Sequence, residues 1–146
     1  MKTNNITLRL KAFLEKDLEK LMQEYEGYRL DIAKVARSGG DVREALKEEV
    51  LWENKIKHIK ELMRNRSTVT PVRQNEIIAL GTKAVISVDG KERQIIIDGV
   101  GYKTKAIDVI SQNSLVGKSL IGKKAGDAVA IQAGVVIVVK KVLYPW

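Results

Sequence analysis

The side chains best placed to do chemistry in this sequence are two carboxylates, Asp41 and Glu44, in the stretch Ser38-Gly39-Gly40-Asp41-Val42-Arg43-Glu44. Three residues apart at a helix start, they fall on one side of the helix end, so both can reach one target. The same spacing makes a capping box, with Asp41 as N-cap and Glu44 reaching back to it, and from these seven residues alone that structural reading comes first. The chemical reading is an acidic tip carried to the active site of another molecule. Other chemistries find less support. The absence of cysteine excludes disulfides, thiolate nucleophiles and Cys-based zinc sites. His58 stands alone near Lys57 and Lys60, which suits the surface better than metal ligation. Ser111, Asn113 and Ser114 have no His or Lys partner to act as base, and read as loop and cap residues.

Two helical patterns flank the acidic stretch. Before it, Leu14, Leu18, Leu21, Tyr25, Tyr28, Ile32 and Val35 follow spacings of 4, 3, 4, 3, 4, 3, a heptad seam. After it, Val42, Ala45, Glu49, Trp52, Ile56, Ile59 and Met63 follow 3, 4, 3, 4, 3, 4, with Glu49 the one polar intruder. Ser38-Gly39-Gly40 is a helix stop. Two such stripes with a short connection predict an antiparallel helical hairpin, each arm projecting on the order of 35–40 Å. Val35 is then expected opposite Ala45, Ile32 opposite Glu49, Tyr28 opposite Trp52, Tyr25 opposite Ile56 and Leu21 opposite Ile59. Gly27 is expected on an outer face, and the aromatic residues in the seam.

From Ser67 to Val72, a polar, β-branched segment containing Pro71 marks a boundary. Beyond it the period becomes 2. Thr82–Val88 and Lys91–Ile97 flank the hairpin turn Asp89-Gly90. Asp98-Gly99-Val100-Gly101 reads as a second turn and Ile107–Ile110 as a short strand. Ser114–Ile121 reads as a short helix capped by Ser114, and Val135–Val142 as a final, largely buried strand. The predicted fold class is α+β: a coiled-coil hairpin over residues 1–68 with an acidic tip near 38–45, then a mainly antiparallel sheet domain over 73–146.

The 146 residues suffice for one small domain and an arm. The formal charge is +8, an excess that favours nucleic acid or an acidic protein partner, or serves solubility alone. Lys and Arg against Asp and Glu number 15 to 12 in residues 1–70 and 11 to 6 in residues 71–146, so the excess is spread over both halves. Met1–Asn5 is polar, without a signal-peptide pattern, and the apolar run Ala133–Val139 is too short to span a bilayer. A soluble, cytoplasmic protein with no membrane association is expected.

This order of parts resembles the Gre family of transcript cleavage factors, GreA and GreB, which act on bacterial RNA polymerase. The likeness is carried by Ile32-Ala-Lys-Val-Ala-Arg-Ser-Gly-Gly-Asp-Val-Arg-Glu44, similar to the family's tip, and by Ile110-Ser-Gln-Asn-Ser-Leu-Val-Gly-Lys-Ser-Leu-Ile-Gly-Lys123, similar to a Ser-rich loop and short helix of its FKBP-like C-terminal domain. Ile6-Thr-Leu-Arg9 resembles the family's start. The resemblance implies that the C-terminal domain docks on the polymerase through the loop Ser111, Asn113, Ser114 and Leu115, while the hairpin passes down the secondary channel toward nascent RNA. It further implies that Asp41 and Glu44 act at the catalytic centre by helping hold Mg²⁺ jointly with the polymerase, whose own nuclease activity then cleaves backtracked RNA. The chain itself would be a monomer and not an enzyme. Arg29, Lys34, Arg37, Arg43 and Lys47 are expected to contact RNA phosphates or the channel wall.

The sequence departs from the family pattern at Ala45-Leu-Lys-Glu48, where Asn-Ala-Glu-Tyr or similar is usual, and at Leu115, where proline is common. Its second arm reads as shorter than usual and its charge as basic. An alternative is therefore a Gre-like channel binder that inhibits or modulates the polymerase without stimulating cleavage. Two rivals come from other classes: a peptidyl-prolyl isomerase or chaperone, and a basic hairpin that binds nucleic acid unaided. Against the isomerase, the second half holds only Tyr102, Tyr144 and Trp146 as aromatic residues.

Overall fold

The computed structural model describes residues 5–64, 66–69 and 76–143. Pro71 and the aromatic residues Tyr144 and Trp146 lie outside them. Two units divide the chain: Lys11–Arg66, and the opening residues through Leu10 together with the chain from Ser67 onward.

The first unit is the predicted antiparallel pair of helices, α1 (Leu8–Arg37) and α2 (Arg43–Met63). The seam residues from Leu14 to Ile32 and from Val42 to Met63 are all buried or half-buried. Aromatic side chains join the arms. Trp52 stacks on Tyr25 at 6.0 Å between ring centroids and meets the expected Tyr28 at 5.8 Å. The Tyr28 hydroxyl donates to the Ala45 carbonyl at 2.9 Å. The Tyr25 hydroxyl lies 3.0 Å from Glu53 Oε1 and 3.2 Å from Glu49 Oε1, within reach of either carboxylate. Glu49 is thus tolerated on the seam because a phenol and Arg29, 3.6 Å away, satisfy it. Val35 is 41% exposed, so the seam opens there. A side chain at Gly40 would press on Val35 Cγ1, which shows that this methyl covers the turn backbone. Gly27 sits on an open outer face of an unbroken helix.

The second unit holds a six-stranded sheet. In chain order its strands are β3 (Lys83–Val88), β4 (Lys91–Asp98), β5 (Tyr102–Lys103), β6 (Asp108–Ser111), β7 (Ala128–Ala130) and β8 (Val136–Leu143). Their spatial order is β5-β6-β4-β3-β8-β7, antiparallel throughout except for β4 beside β6. Asp89 and Gly90, both at positive φ, make the predicted tight turn. The short helix α3 (Leu115–Leu120) is capped as predicted, Ser114 Oγ accepting the Gly117 N–H at 3.0 Å. The final strand differs from expectation. It alternates in burial, with Ile137 and Val139 buried and Val136 44% exposed, because it pairs within the sheet and leaves one face outward. The core comprises Ile78, Ala84, Ile86, Ile95, Ile97, Leu120, Ile137 and Val139.

Two further strands, β1 (Ile6–Thr7) and β2 (Thr68–Val69), pair in parallel. The opening residues through Leu10 group with the sheet unit, whereas the expected hairpin domain runs over residues 1–68. The reason is a buried carboxylate. Asp98 is fully buried and accepts three hydrogen bonds: from Thr7 N at 2.9 Å, from Thr7 Oγ1 at 2.5 Å and from Gly99 N at 2.7 Å. The Thr7 hydroxyl in turn accepts the Leu10 N–H at 3.2 Å, capping α1, which is why that helix begins at Leu8 rather than in the regular pattern from Leu14. Gly99 allows the approach, since a Cβ there would collide with the Asn5 carbonyl.

Three outcomes follow from these contacts. Asp98→Ala leaves buried N–H groups without acceptors and is expected to cost on the order of 3 kcal/mol, with amide hydrogen exchange showing lost protection at Thr7 and Gly99; Asp98→Asn, which keeps an acceptor, should lose less. Gly27→Ala is expected to raise the thermal stability of the helices by about 1 kcal/mol, whereas Gly39→Ala, at φ +82°, should lower it by about as much. Partial desolvation, then hydrogen bonds to Glu53 and Glu49, push the Tyr25 phenol up to about 12. Its contribution to stability is complete below the ordinary phenol value and is lost as pH rises through that of the folded state; desolvation raises Tyr28 as well, so an ultraviolet titration should show late tyrosine transitions, of which the one near 12 disappears in Tyr25→Phe.

Candidate functional site at the helical turn

The turn between the helices is built from the end of α1. Gly40 N donates to Val35 O at 2.9 Å and Gly39 N to Ala36 O at 3.1 Å, with Gly39 left-handed. This is a Schellman ending, and it needs a residue free of the Cβ penalty at position 39. Ser38 Oγ adds a bond to the Val35 carbonyl at 2.9 Å. The chain emerges from this closure with Asp41 exposed.

The expected capping box does not form. Val42 occupies the N-cap of α2 and makes no side-chain cap bond. Asp41, one residue further out, accepts the Arg43 backbone N–H at 3.0 Å in an Asx turn. Its two oxygens also take the Arg43 guanidinium: Nε to Oδ1 at 3.1 Å and to Oδ2 at 3.2 Å, Nη2 to Oδ2 at 2.8 Å. The guanidinium, and after it the backbone bond, hold the Asp41 carboxyl below the usual carboxylate value. A carboxylate drawn this tightly to residue 43 does not serve the next amide along. Glu44 does not reach back either, but meets Lys47 at 3.3 Å. The carboxylate side chains are 61% and 87% exposed. Both thus stand in solvent at the turn, each beside a cation of its own.

The other basic residues are exposed around them. Arg29 lies 5.7 Å from the Tyr25 ring centroid, and Arg37 Nε donates to the Ala33 carbonyl at 3.3 Å. From Lys34 to Lys47 the chain carries Lys34, Arg37, Arg43 and Lys47 against Asp41 and Glu44, a net positive turn. Leu46 and Val50, four apart on α2, are each 54% exposed. His58 is exposed, as expected.

In the sheet unit, the loop before α3 is held by its own polar groups. Ser114 Oγ donates to Ser111 O at 2.7 Å, Ser111 Oγ accepts the Asn113 N–H at 3.2 Å, and Leu115 stands 55% exposed. A Cβ at Gly117 would collide with the Ser111 carbonyl, so the loop lies flat on the helix. Beside it is a cavity of about 400 Å³ lined chiefly by Ile86, Ile95, Ile110, Val116, Ile131 and Ile137, with an Arg93–Asp108 ion pair that no sequence pattern had signalled. The lining is aliphatic apart from a few polar groups, with no aromatic side chain among the described residues.

Oxygen donors from two carboxylates are the kind that Mg²⁺ takes, usually one or two per ion with water and phosphate completing the shell. Asp41 and Glu44 fit such a partial set by type and exposure. Among the described residues no group of three or more His, Cys, Asp or Glu is placed to hold an ion, so further ligands would come from elsewhere. No helix of the described residues is long and apolar enough to cross a membrane.

Comparison with known proteins gives the following. No family model matches the chain. Transcription elongation factor GreA of Streptococcus pneumoniae is 32% identical over 144 residues, covering 92% of this chain and 89% of that protein. GreA of Thermomicrobium roseum is 31% identical over 130 residues, covering 79% and 83%. Among solved structures, GreA factor homolog 1 (Gfh1) of Thermus thermophilus aligns over 97% of this chain and 99% of that one, with 17% identity and a TM-score of 0.47. Identity at this level, sustained over most of both chains and spanning the two-helix turn as well as the sheet, places the protein in the GreA family of transcription elongation factors.

Proposed function

We propose that this protein binds bacterial RNA polymerase in the cytoplasm, enters its secondary channel with the helical hairpin, and stimulates the polymerase's own cleavage of backtracked RNA. The observation that carries this reading is the exposure of Asp41 and Glu44 together on the turn, without the mutual capping bonds that would have given them a purely structural role. In the polymerase active centre, Asp41 and Glu44 would hold Mg²⁺ jointly with polymerase ligands, and when bound that ion supplies Lewis-acid activation of water and charge neutralisation at the phosphoryl oxygens. The chain's part is delivery and orientation. The Schellman turn sets the direction of Asp41, and the first turn of α2 sets that of Glu44. Exposed Lys34, Arg37 and Lys47 suit RNA phosphates or acidic channel walls, and Leu46 with Val50 suits a protein-lined passage. The loop Ser111, Asn113, Ser114 and Leu115 is the docking surface in this reading: an FKBP-like domain presents a rigid, self-bonded loop with one exposed apolar residue to the polymerase rim. The protein acts as a monomer and performs no chemistry alone.

The test is RNA cleavage in stalled, backtracked polymerase complexes. Wild-type protein is expected to accelerate cleavage, and Asp41→Ala or Glu44→Ala to abolish the acceleration while leaving helicity and polymerase binding unchanged. Persistence of cleavage in both variants would refute the role of the tip. Slowed synthesis without cleavage would assign the protein to the inhibitory alternative. Leu115→Asp should weaken polymerase binding about tenfold, read by competition with labelled protein.

A further inference from the structure

The turn carries its own competitor for a cation. Arg43 engages both Asp41 oxygens through two guanidinium nitrogens, and its backbone N–H takes Oδ1 as well. A divalent ion binding Asp41 requires those same lone pairs, and a guanidinium in bidentate contact opposes it by both occupancy and charge. The contact is local, made between residues two apart in one turn, so it does not depend on any other part of the fold. Lys47 stands differently toward Glu44: it makes one contact at 3.3 Å, from a flexible stem that swings away at small cost. The two carboxylates are therefore unequal, one clamped by a planar fork and one beside a movable point charge.

We propose that Arg43 is a tethered counter-ion that competes with an incoming divalent cation for Asp41, so that residue 43 sets the cation concentration at which the tip engages. The inference rests on the reading of Asp41 as a cation ligand. It adds a residue that determines metal demand, lying between the two carboxylates and touching one of them. Because the pair is solvent-exposed, with side-chain exposures of 86% and 61%, the competition is mild and reversible, and its removal should shift the cation requirement by about two- to fivefold.

The experiment titrates Mn²⁺ as a paramagnetic probe into the full-length, ¹⁵N-labelled protein and follows broadening of the Val42, Arg43 and Glu44 amides. Arg43→Gln is expected to lower the Mn²⁺ concentration for half-broadening about two- to fivefold, Arg43→Lys to lie between, and Asp41→Asn to weaken broadening in either background. An unchanged titration in Arg43→Gln, with the variant folded by circular dichroism, overturns the proposal. In parallel, the Mg²⁺ concentration for half-maximal cleavage in backtracked complexes should fall by a similar factor in Arg43→Gln. The two readouts separate two failures. A shifted Mn²⁺ titration with no cleavage by any form of the protein sinks the cleavage reading and supports the counter-ion. Full cleavage with unshifted Mn²⁺ and Mg²⁺ titrations sinks the counter-ion alone.

Discussion

A buried carboxylate organises the sheet unit. Asp98 at the end of β4 lies out of solvent, where an unpaired charge would be costly, and three short hydrogen bonds from Thr7 and Gly99 compensate that cost. Two of them come from one residue of the opening strand, so the geometry of that strand follows from Asp98. Thr7 then passes the constraint on, because the hydroxyl that donates to Asp98 also caps the first helix through Leu10 N. The helix that carries the acidic turn thus takes its starting residue from a side chain of the opening strand. Gly99 completes the arrangement by leaving room for the Asn5 carbonyl.

Within the hairpin the same logic is met with aromatic groups. A strictly apolar seam would hold two helices together but would tolerate sliding, since one methyl packs much like another. Trp52 between Tyr25 and Tyr28, with the two hydroxyls committed to Glu49 or Glu53 and to Ala45 O, gives the pair a register. The polar Glu49 in the seam is part of this arrangement, held by Tyr25 and Arg29. The turn between Arg37 and Arg43 is closed locally, by the bonds of Gly39 and Gly40 back to the end of the first helix, and that closure sets where Asp41 emerges.

The acidic turn shows the limits of reading a motif from spacing. Asp-x-x-Glu at a helix start can be a capping box or a pair of free ligands, and the sequence leaves both open. In the fold it is neither in pure form: Asp41 bonds the nearest amide and the Arg43 guanidinium, and Glu44 turns to Lys47. Both remain in solvent, so their availability to a partner is preserved, but the electrostatic setting is one of neutralised carboxylates within a positive turn. An intervening arginine at residue 43 changes the chemistry of the pair without changing its spacing.

Periodicity alone determined most of the secondary structure. Two heptad stripes around a glycine stop produced the hairpin, and Asp89-Gly90 between alternating runs produced the central β3–β4 pair, because helix and strand periods are written directly in which residues are apolar. The likeness of the tip and of the Ile110–Lys123 segment to one family was equally legible. Tertiary structure decided what depends on contacts between residues far apart in the chain. Asp98 read as an ordinary turn residue, and only the arrival of Thr7, 91 positions away, makes it a buried acceptor. Ile6 and Thr7 are too few to show a strand period, so their pairing with Thr68 and Val69 was invisible. The choice of Asp41 for Arg43 rather than for the next amide turns on side-chain geometry, which spacing does not encode.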